Sequence, residues 1–213
     1  MEPIHDISGV ILAGGLSSRF GSNKALARWG RKFLIQHVKG IMASVFKDCL
    51  LSTNTPEQYA FLNIPMLQDI YQNMGPLAGI HAALRYTAKP WIFVIGCDMP
   101  LVTPDLIRYL CGFAQDDYEA VIPWLELGPE PLCGLYHKTA LDKIELQLNN
   151  SKAQVLKLFG KMPVRKVKDK ELLKVTRDLQ VFFNINKKQD LDSVSIAADC
   201  PMNINFSQEF HVC

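Results

Sequence analysis

Three stretches of this chain combine residue types and spacings that suit phosphate and metal chemistry. The first is Leu12-Ala13-Gly14-Gly15-Leu16-Ser17-Ser18-Arg19-Phe20-Gly21-Ser22-Asn23-Lys24. Its glycines permit close backbone approach to an anion, and Arg19 and Lys24 offset negative charge, so the stretch suits a loop wrapped around phosphates. The spacing is neither Walker A nor GxGxxG: Lys24 lies three residues after Gly21 and is followed by Ala25, which disfavours a generic P-loop ATPase. An ordinary Gly-rich turn is the other reading of this stretch. The second is Val94-Ile95-Gly96-Cys97-Asp98-Met99-Pro100, which puts an acid just past an apolar run, where open α/β sheets bind ligands. Asp98 is thus a candidate to hold Mg²⁺, with a turn-forming or helix-capping role as its alternative. The third is Asp69 with Asn73-Met74-Gly75-Pro76-Leu77-Ala78-Gly79-Ile80. Gly75 and Gly79 would admit a planar ligand or its ribose, and Asp69 could accept hydrogen bonds from a guanine or sugar edge.

These residues need elements to position them. Residues 8–12 form a short apolar run ending at a Gly pair, which predicts a buried strand feeding a loop. Helical spacing follows over 34–46. The order repeats with a strand at 49–52, a Pro-started helix at 56–62, a strand at 64–67, a helix at 77–86 and the strongest strand at 91–95. Thr103 and Pro104 open a helix over 103–113. Strands are expected at 119–123 and 132–137, with a Gly- and Pro-rich loop at 124–131 that could cover a substrate. Residues 139–159 have helical spacing in two pieces, 164–167 make a strand, and an apolar strand at 182–186 precedes a helix around 189–196.

Alternating strands and helices imply an α/β fold with a mainly parallel sheet and helices on both faces. Strands one and four are expected to lie close at the switch in strand order, so that the phosphate loop and Asp98 face one crevice. The absence of repeats or linkers favours one domain over residues 1–200, with 201–213 a poorly ordered tail.

With 213 residues, 48% of them apolar, there is material for one sizeable core. A net charge of +2 makes no general case for nucleic acid or membrane as partner. The basic run 165–170 is expected as a solvated strand edge. No stretch approaches the roughly 20 apolar residues of a membrane span, and the acidic N-terminus does not resemble a secretory signal, so a soluble, cytoplasmic protein is expected. The six cysteines form no CxxC pair, and no zinc site or disulfide framework is expected. Cys97 adjoins Asp98 without a local His partner, which argues against a nucleophilic role.

Taken in order, Leu12-Ala13-Gly14-Gly15, Ser18-Arg19-Phe20-Gly21, Lys24, Gly75-Pro76-Leu77-Ala78-Gly79, Asp98-Met99-Pro100 and Asn184-Ile185-Asn186 resemble the molybdenum cofactor guanylyltransferase family, within the wider group of sugar-nucleotide-type nucleotidyltransferases. The resemblance covers nearly the whole chain. It implies a Rossmann-like, three-layer nucleotidyltransferase fold that uses GTP and Mg²⁺ and transfers GMP to molybdopterin. It also implies molybdoenzymes or other cofactor-biosynthesis proteins as partners.

By position, Leu12, Ala13, Gly14 and Gly15 would contact the nucleotide, Lys24 its phosphates, Ser52, Asp69 and Gly75 the guanosine part, and Asp98 the metal. Arg19, Lys24 and Asp98 would be catalytic, and Asn184 and Asn186 would border the acceptor. For Asn186, capping of the final helix is the alternative. The chain departs from the family at Ser52, where an Asn is usual and Asn54 follows two residues on, and at Phe20, where Met is common.

The implied chemistry is in-line attack by an acceptor phosphate on the α-phosphorus of GTP, with charge stabilised by Arg19, Lys24 and the metal. No protein nucleophile or strong general base is required, so His81 and His137 are expected to be structural or exposed. Two alternatives remain at this point: a cytidylyltransferase of the same fold acting on molybdopterin or a sugar or polyol phosphate, and a non-catalytic carrier of the finished cofactor.

Overall fold

The computed structural model describes residues 1–14, 20 and 23–191. The first strand, β1 (Ile7–Leu12), is buried along its whole length, and its alternating side chains serve two cores. Ile7 and Ile11 point into one cluster, Val10 and Leu12 into the other. Gly9 completes the first face by having no side chain: a Cβ there would lie 2.7 Å from the Phe46 ring.

A small hairpin follows, β2 (Arg28–Trp29) and β3 (Lys32–Phe33), turning through Gly30 at φ +56°. Helix α1 (Leu34–Val45) leads to β4 (Cys49–Ser52) and then to β5 (Met66–Leu67). Helix α2 (Gly75–Tyr86) leads to β6 (Trp91–Gly96), and α3 (Pro104–Cys111) to β7 (Ala120–Leu125). The chain continues through β8 (Gly128–Pro129), β9 (Cys133–His137), α4 (Leu141–Asn149), β10 (Val164–Lys168) and the single turn α5 (Asp169–Leu172).

The main sheet runs β10-β7-β9-β6-β1-β4-β5, with β8 paired to β7. Its long strands are parallel apart from β9, which runs antiparallel to both β6 and β7. The reason is connection length. Only seven residues separate Leu125 from Cys133, too few for the crossover of a dozen or more that a parallel return requires. Helices α1 and α3 cover one face through Ile35, Val38, Met42, Leu106 and Leu110. Helices α2 and α4 cover the other through Leu77, Ile80, Leu84, Ile144 and Leu148. This is the three-layer α/β arrangement that the alternation of elements implies.

Three segments differ from expectation. Residues 56–62 form a helix of the 3-10 type, and its two buried anchors, Tyr59 and Leu62, three apart, line up on one face at that pitch. The expected loop at 124–131 contains the end of β7 and a hairpin in which Trp124 pairs with Pro129, closed through Gly128 at φ +133°. The expected strand at 182–186 is absent. Leu179–Phe182 make a 3-10 turn capped by Asp178, and Ile185 bonds to the turn after β6 instead of to a strand. A helix does begin at Lys188, but most of the expected 189–196 helix and the 201–213 tail lie outside the described residues. The basic run behaves as expected: β10 is an edge strand, with Arg165 stacked over Phe113 and Lys166 over Trp124.

Candidate active site

Strands β1 and β6 are neighbours, with Leu12 registered opposite Gly96, so the chain leaves both at one edge of the sheet. The Cys97 amide donates to the Leu12 carbonyl (3.1 Å), and the Ala13 amide to the Ser52 carbonyl of β4 (2.9 Å). Asp98 lies in the turn beyond β6, where Met99 N–H bonds back to the Gly96 carbonyl. A Cβ at Gly96 would come within 2.4 Å of Asp98 Oδ1. Any larger residue there would displace the carboxylate.

Lys24 Nζ donates to Asp98 Oδ2 at 2.7 Å, and each side chain is only 17% exposed. Lys24 is held there by its neighbour. Asn23 caps the 3-10 turn Lys24–Leu26 by accepting from Ala25 N–H, and its amide hydrogen-bonds Gln58 and the hydroxyl of buried Tyr59. The 3-10 helix over 56–62 therefore serves the site by anchoring Asn23. Gly14 lies at the end of β1 with open space around it. Gly15 and Arg19 lie outside the described residues. Phe20 is buried with Leu34 and Ile185, so the residues that follow the phosphate loop share a small core with the Asn-Ile-Asn segment.

A second group forms over β4. Ser52 is buried at its end, and its hydroxyl makes a long hydrogen bond (3.4 Å) to Asp69 Oδ1. Asn54 pairs with Asp69 twice, donating Nδ2 to Oδ2 (2.9 Å) and accepting Asp69 N–H on Oδ1 (3.0 Å). Asn54 was not among the site residues expected from sequence, yet it orients the acid. Burial raises the Asp69 pKa above the ordinary carboxylate value, and the hydrogen bonds from Asn54 and Ser52 oppose that rise. Gly75 begins α2 at φ +59°. Gly79 lets α2 lie against β4, since a Cβ there would meet Ser52 Oγ at 2.7 Å and Leu12 Cδ2 at 2.9 Å.

The Asn-Ile-Asn segment reaches the same rim. Ile185 N–H donates to the Asp98 carbonyl (2.9 Å), so Asn184 sits beside the Asp98 turn. Asn186 does not cap the helix with its side chain. Its amide donates to the Asn184 carbonyl, while the Asp190 carboxylate accepts the N–H groups of Asn186 and Lys187. Glu130, which sequence reasoning missed, lies close enough to Asn184 and Asp98 for both to act on its carboxyl. Burial, with a smaller push from Asp98, raises its carboxyl to about 7. Nothing in its local sequence marks it, because its importance comes from the pairing of β9 with β6.

Other candidates fall away. Burial and the adjacent Asp98 raise the Cys97 thiol to about 12, so at neutral pH it is not the thiolate that nucleophilic attack needs. His81 is buried and bonded to Glu145 (2.9 Å), and His137 bonds Thr139. No described helix is long and apolar enough to cross a membrane.

This arrangement has known relatives. The MobA-like NTP transferase domain matches residues 9–165. A molybdenum cofactor guanylyltransferase of Desulfosudis oleivorans is 34% identical over 90% of this chain and 95% of its own. A probable molybdenum cofactor guanylyltransferase of Pelotomaculum thermopropionicum is 35% identical over 90% and 93%. The crystal structure of molybdopterin-guanine dinucleotide biosynthesis protein A from Archaeoglobus fulgidus superposes with a TM-score of 0.81, at 26% identity, over 90% of this chain and 98% of that one. The chain is therefore a nucleotidyltransferase that belongs to the molybdenum cofactor guanylyltransferase family, carried on the MobA-like NTP transferase domain.

Proposed function

We propose that this protein transfers GMP from GTP to the terminal phosphate of molybdopterin, forming the guanine dinucleotide cofactor and releasing pyrophosphate. The observation that carries the proposal is the Lys24–Asp98 contact over the paired ends of β1 and β6. It puts a phosphate-seeking cation and a metal-seeking carboxylate side by side in the crevice where α/β sheets bind nucleotides.

The guanosine part lies toward Asp69, Ser52 and Gly75, with Asp69 accepting hydrogen bonds from the base or ribose. The triphosphate follows the backbone of residues 12–15 toward Lys24. Binding frees Lys24 from Asp98 and moves its ammonium to the phosphate oxygens. Asn184 and Asn186 border the acceptor. An oxygen of the molybdopterin phosphate then forms a bond to the α-phosphorus, the bond from that phosphorus to the α–β bridging oxygen breaks, and pyrophosphate leaves. Lys24 and Arg19 stabilise charge on the phosphoryl and leaving oxygens. The acceptor is already an anion, so no side chain has to take its proton.

The residues also suit Mg²⁺. Asp98 supplies a hard carboxylate donor of the kind that holds this ion together with substrate phosphates. When bound at Asp98, Mg²⁺ would neutralise the developing charge on the phosphates. A cytoplasmic location, with molybdoenzymes as recipients of the product, goes with this activity.

The cytidylyl and carrier alternatives are not favoured, given the guanylyltransferase relatives. The test uses γ-labelled GTP. Label should appear in pyrophosphate only when molybdopterin is present, and its absence under all conditions would refute the transfer.

A further inference from the structure

Asp69 lies in the loop over residues 68–74, which joins β5 to α2. Asn54 and Ser52 hold its carboxylate from the β4 side. Within the loop, Gln72 Nε2 donates to the Asp69 carbonyl (2.6 Å), a bond that gives the loop shape without fastening it to the rest of the protein. Gln72 and Asn73 are exposed, and so is Ile70. The hydrophobic side chains of this loop that pack into the core shared by α2 and α4 are Tyr71 and Met74.

Tyr71 bridges those two helices. Its ring meets that of His81 in α2 at 5.0 Å between centroids and 80° between planes, the edge-to-face arrangement that aromatic pairs favour. Its hydroxyl donates to Asn149 Oδ1 at the end of α4 (2.9 Å). The His81 ring is itself fixed. It is buried, and Nε2 donates to Glu145 Oε1 of α4 (2.9 Å), an oxygen that also accepts Nε of Arg85 (2.8 Å). Nδ1 of His81 is buried without a partner among the described residues, so the ring proton belongs on Nε2, where a carboxylate accepts it.

We infer that Tyr71 is a positioning residue for Asp69. Through it α4, which carries none of the site residues, sets where the Asp69 carboxylate meets the guanosine part of the nucleotide. Successive Cα atoms are about 3.8 Å apart, so a residue two along the chain from a fixed anchor has little room to move, and the Gln72 bond to the Asp69 carbonyl takes up the slack between them. Without the anchor the loop would have to be ordered when the nucleotide binds, at the expense of affinity. The inference rests on the assignment of Asp69 to the guanosine part made above.

The test is calorimetric titration of the full chain, with Mg²⁺ present, against GTP and against inorganic triphosphate, which lacks the guanosine part. Tyr71→Ala should weaken GTP binding by about five- to tenfold, up to the worth of the Asp69 hydrogen bond it positions, and leave triphosphate binding within about twofold of wild type. Tyr71→Phe keeps the ring on His81 and loses the bond to Asn149, so it should recover most of the loss and match Asn149→Ala. Adding Tyr71→Ala to Asp69→Asn should weaken GTP binding no further, since the first residue acts through the second. If Tyr71→Ala does not fold, Tyr71→Phe and Asn149→Ala serve instead, each with an expected loss of about two- to threefold for GTP alone. Equal weakening of GTP and triphosphate, unchanged GTP affinity, or multiplying losses in the double variant would each overturn the inference while leaving the transfer intact. A wild-type protein that does not bind GTP would overturn both.

Discussion

The same substitution, glycine to alanine, should have opposite effects in two of the helices that flank the sheet. Gly79 in α2 faces Ser52 and Leu12, and its added Cβ would lie 2.7 Å from Ser52 Oγ and 2.9 Å from Leu12 Cδ2. Ordinary carbon contacts are about 3.5–4.0 Å, so the helix must retreat by several tenths of an ångström or Ser52 must rotate and leave Asp69. Overpacking of this kind costs about 1–3 kcal/mol, against a gain of up to about 1 kcal/mol in helix propensity. Gly79→Ala should therefore be destabilised by about 0.5–2 kcal/mol, and its KM for GTP should rise as Ser52 and Asp69 shift. Gly40 in α1 is exposed, with nothing within 4 Å of its Cβ position. Gly40→Ala should gain about 0.5–1 kcal/mol with unchanged kinetics. Urea denaturation read at constant slope, beside GTP saturation curves, measures both. A Gly79→Ala protein as stable as Gly40→Ala would refute the close approach of α2 to β4.

Lys24→Ala and Asp98→Asn should each lower turnover by about 10²-fold or more, the usual effect of losing one preorganised charge, with circular dichroism unchanged. Asp69→Asn should raise the KM for GTP by about tenfold, within the range for a hydrogen bond to a charged group, and leave the KM for molybdopterin near wild type. Glu130 should make stability depend on pH. Its carboxyl rises from 4.5 unfolded to about 7 folded, so between those values the native state binds more protons, and stability falls as pH rises. Thermal melts at pH 4.5 and 7 should show Glu130→Gln with a smaller difference than wild type.

The sheet, and the meeting of the Gly-rich stretch with the Asp98 turn at one sheet edge, were largely legible from sequence because they depend on local patterns. A buried run ending in glycines, as at residues 8–15, identifies both a strand and the loop after it. Asp98 could be placed because it follows the most apolar strand, and the adjacency of β1 and β6 followed from the strand-order rule for such sheets. What was hidden depends on pairing between distant segments. Glu130 sits in a stretch that looks like a featureless Gly and Pro loop until β9 folds back beside β6 and carries it to Asn184. Asn54 gains meaning only when Asp69, fifteen residues away, turns back onto it. The 182–186 segment misled for the opposite reason. Its apolar residues have the composition of a strand, but Phe182 and Ile185 are spaced to bury into two different clusters, and no strand edge receives them.

The most direct test of the proposed reaction is to identify the product formed when the purified protein and Mg²⁺ are given molybdopterin and each of GTP, CTP, ATP and UTP, using mass spectrometry. The expected product is the guanine dinucleotide, formed with GTP in clear preference and equimolar with pyrophosphate. A cytosine dinucleotide formed at a comparable rate, or no dinucleotide from any of the four, would contradict it.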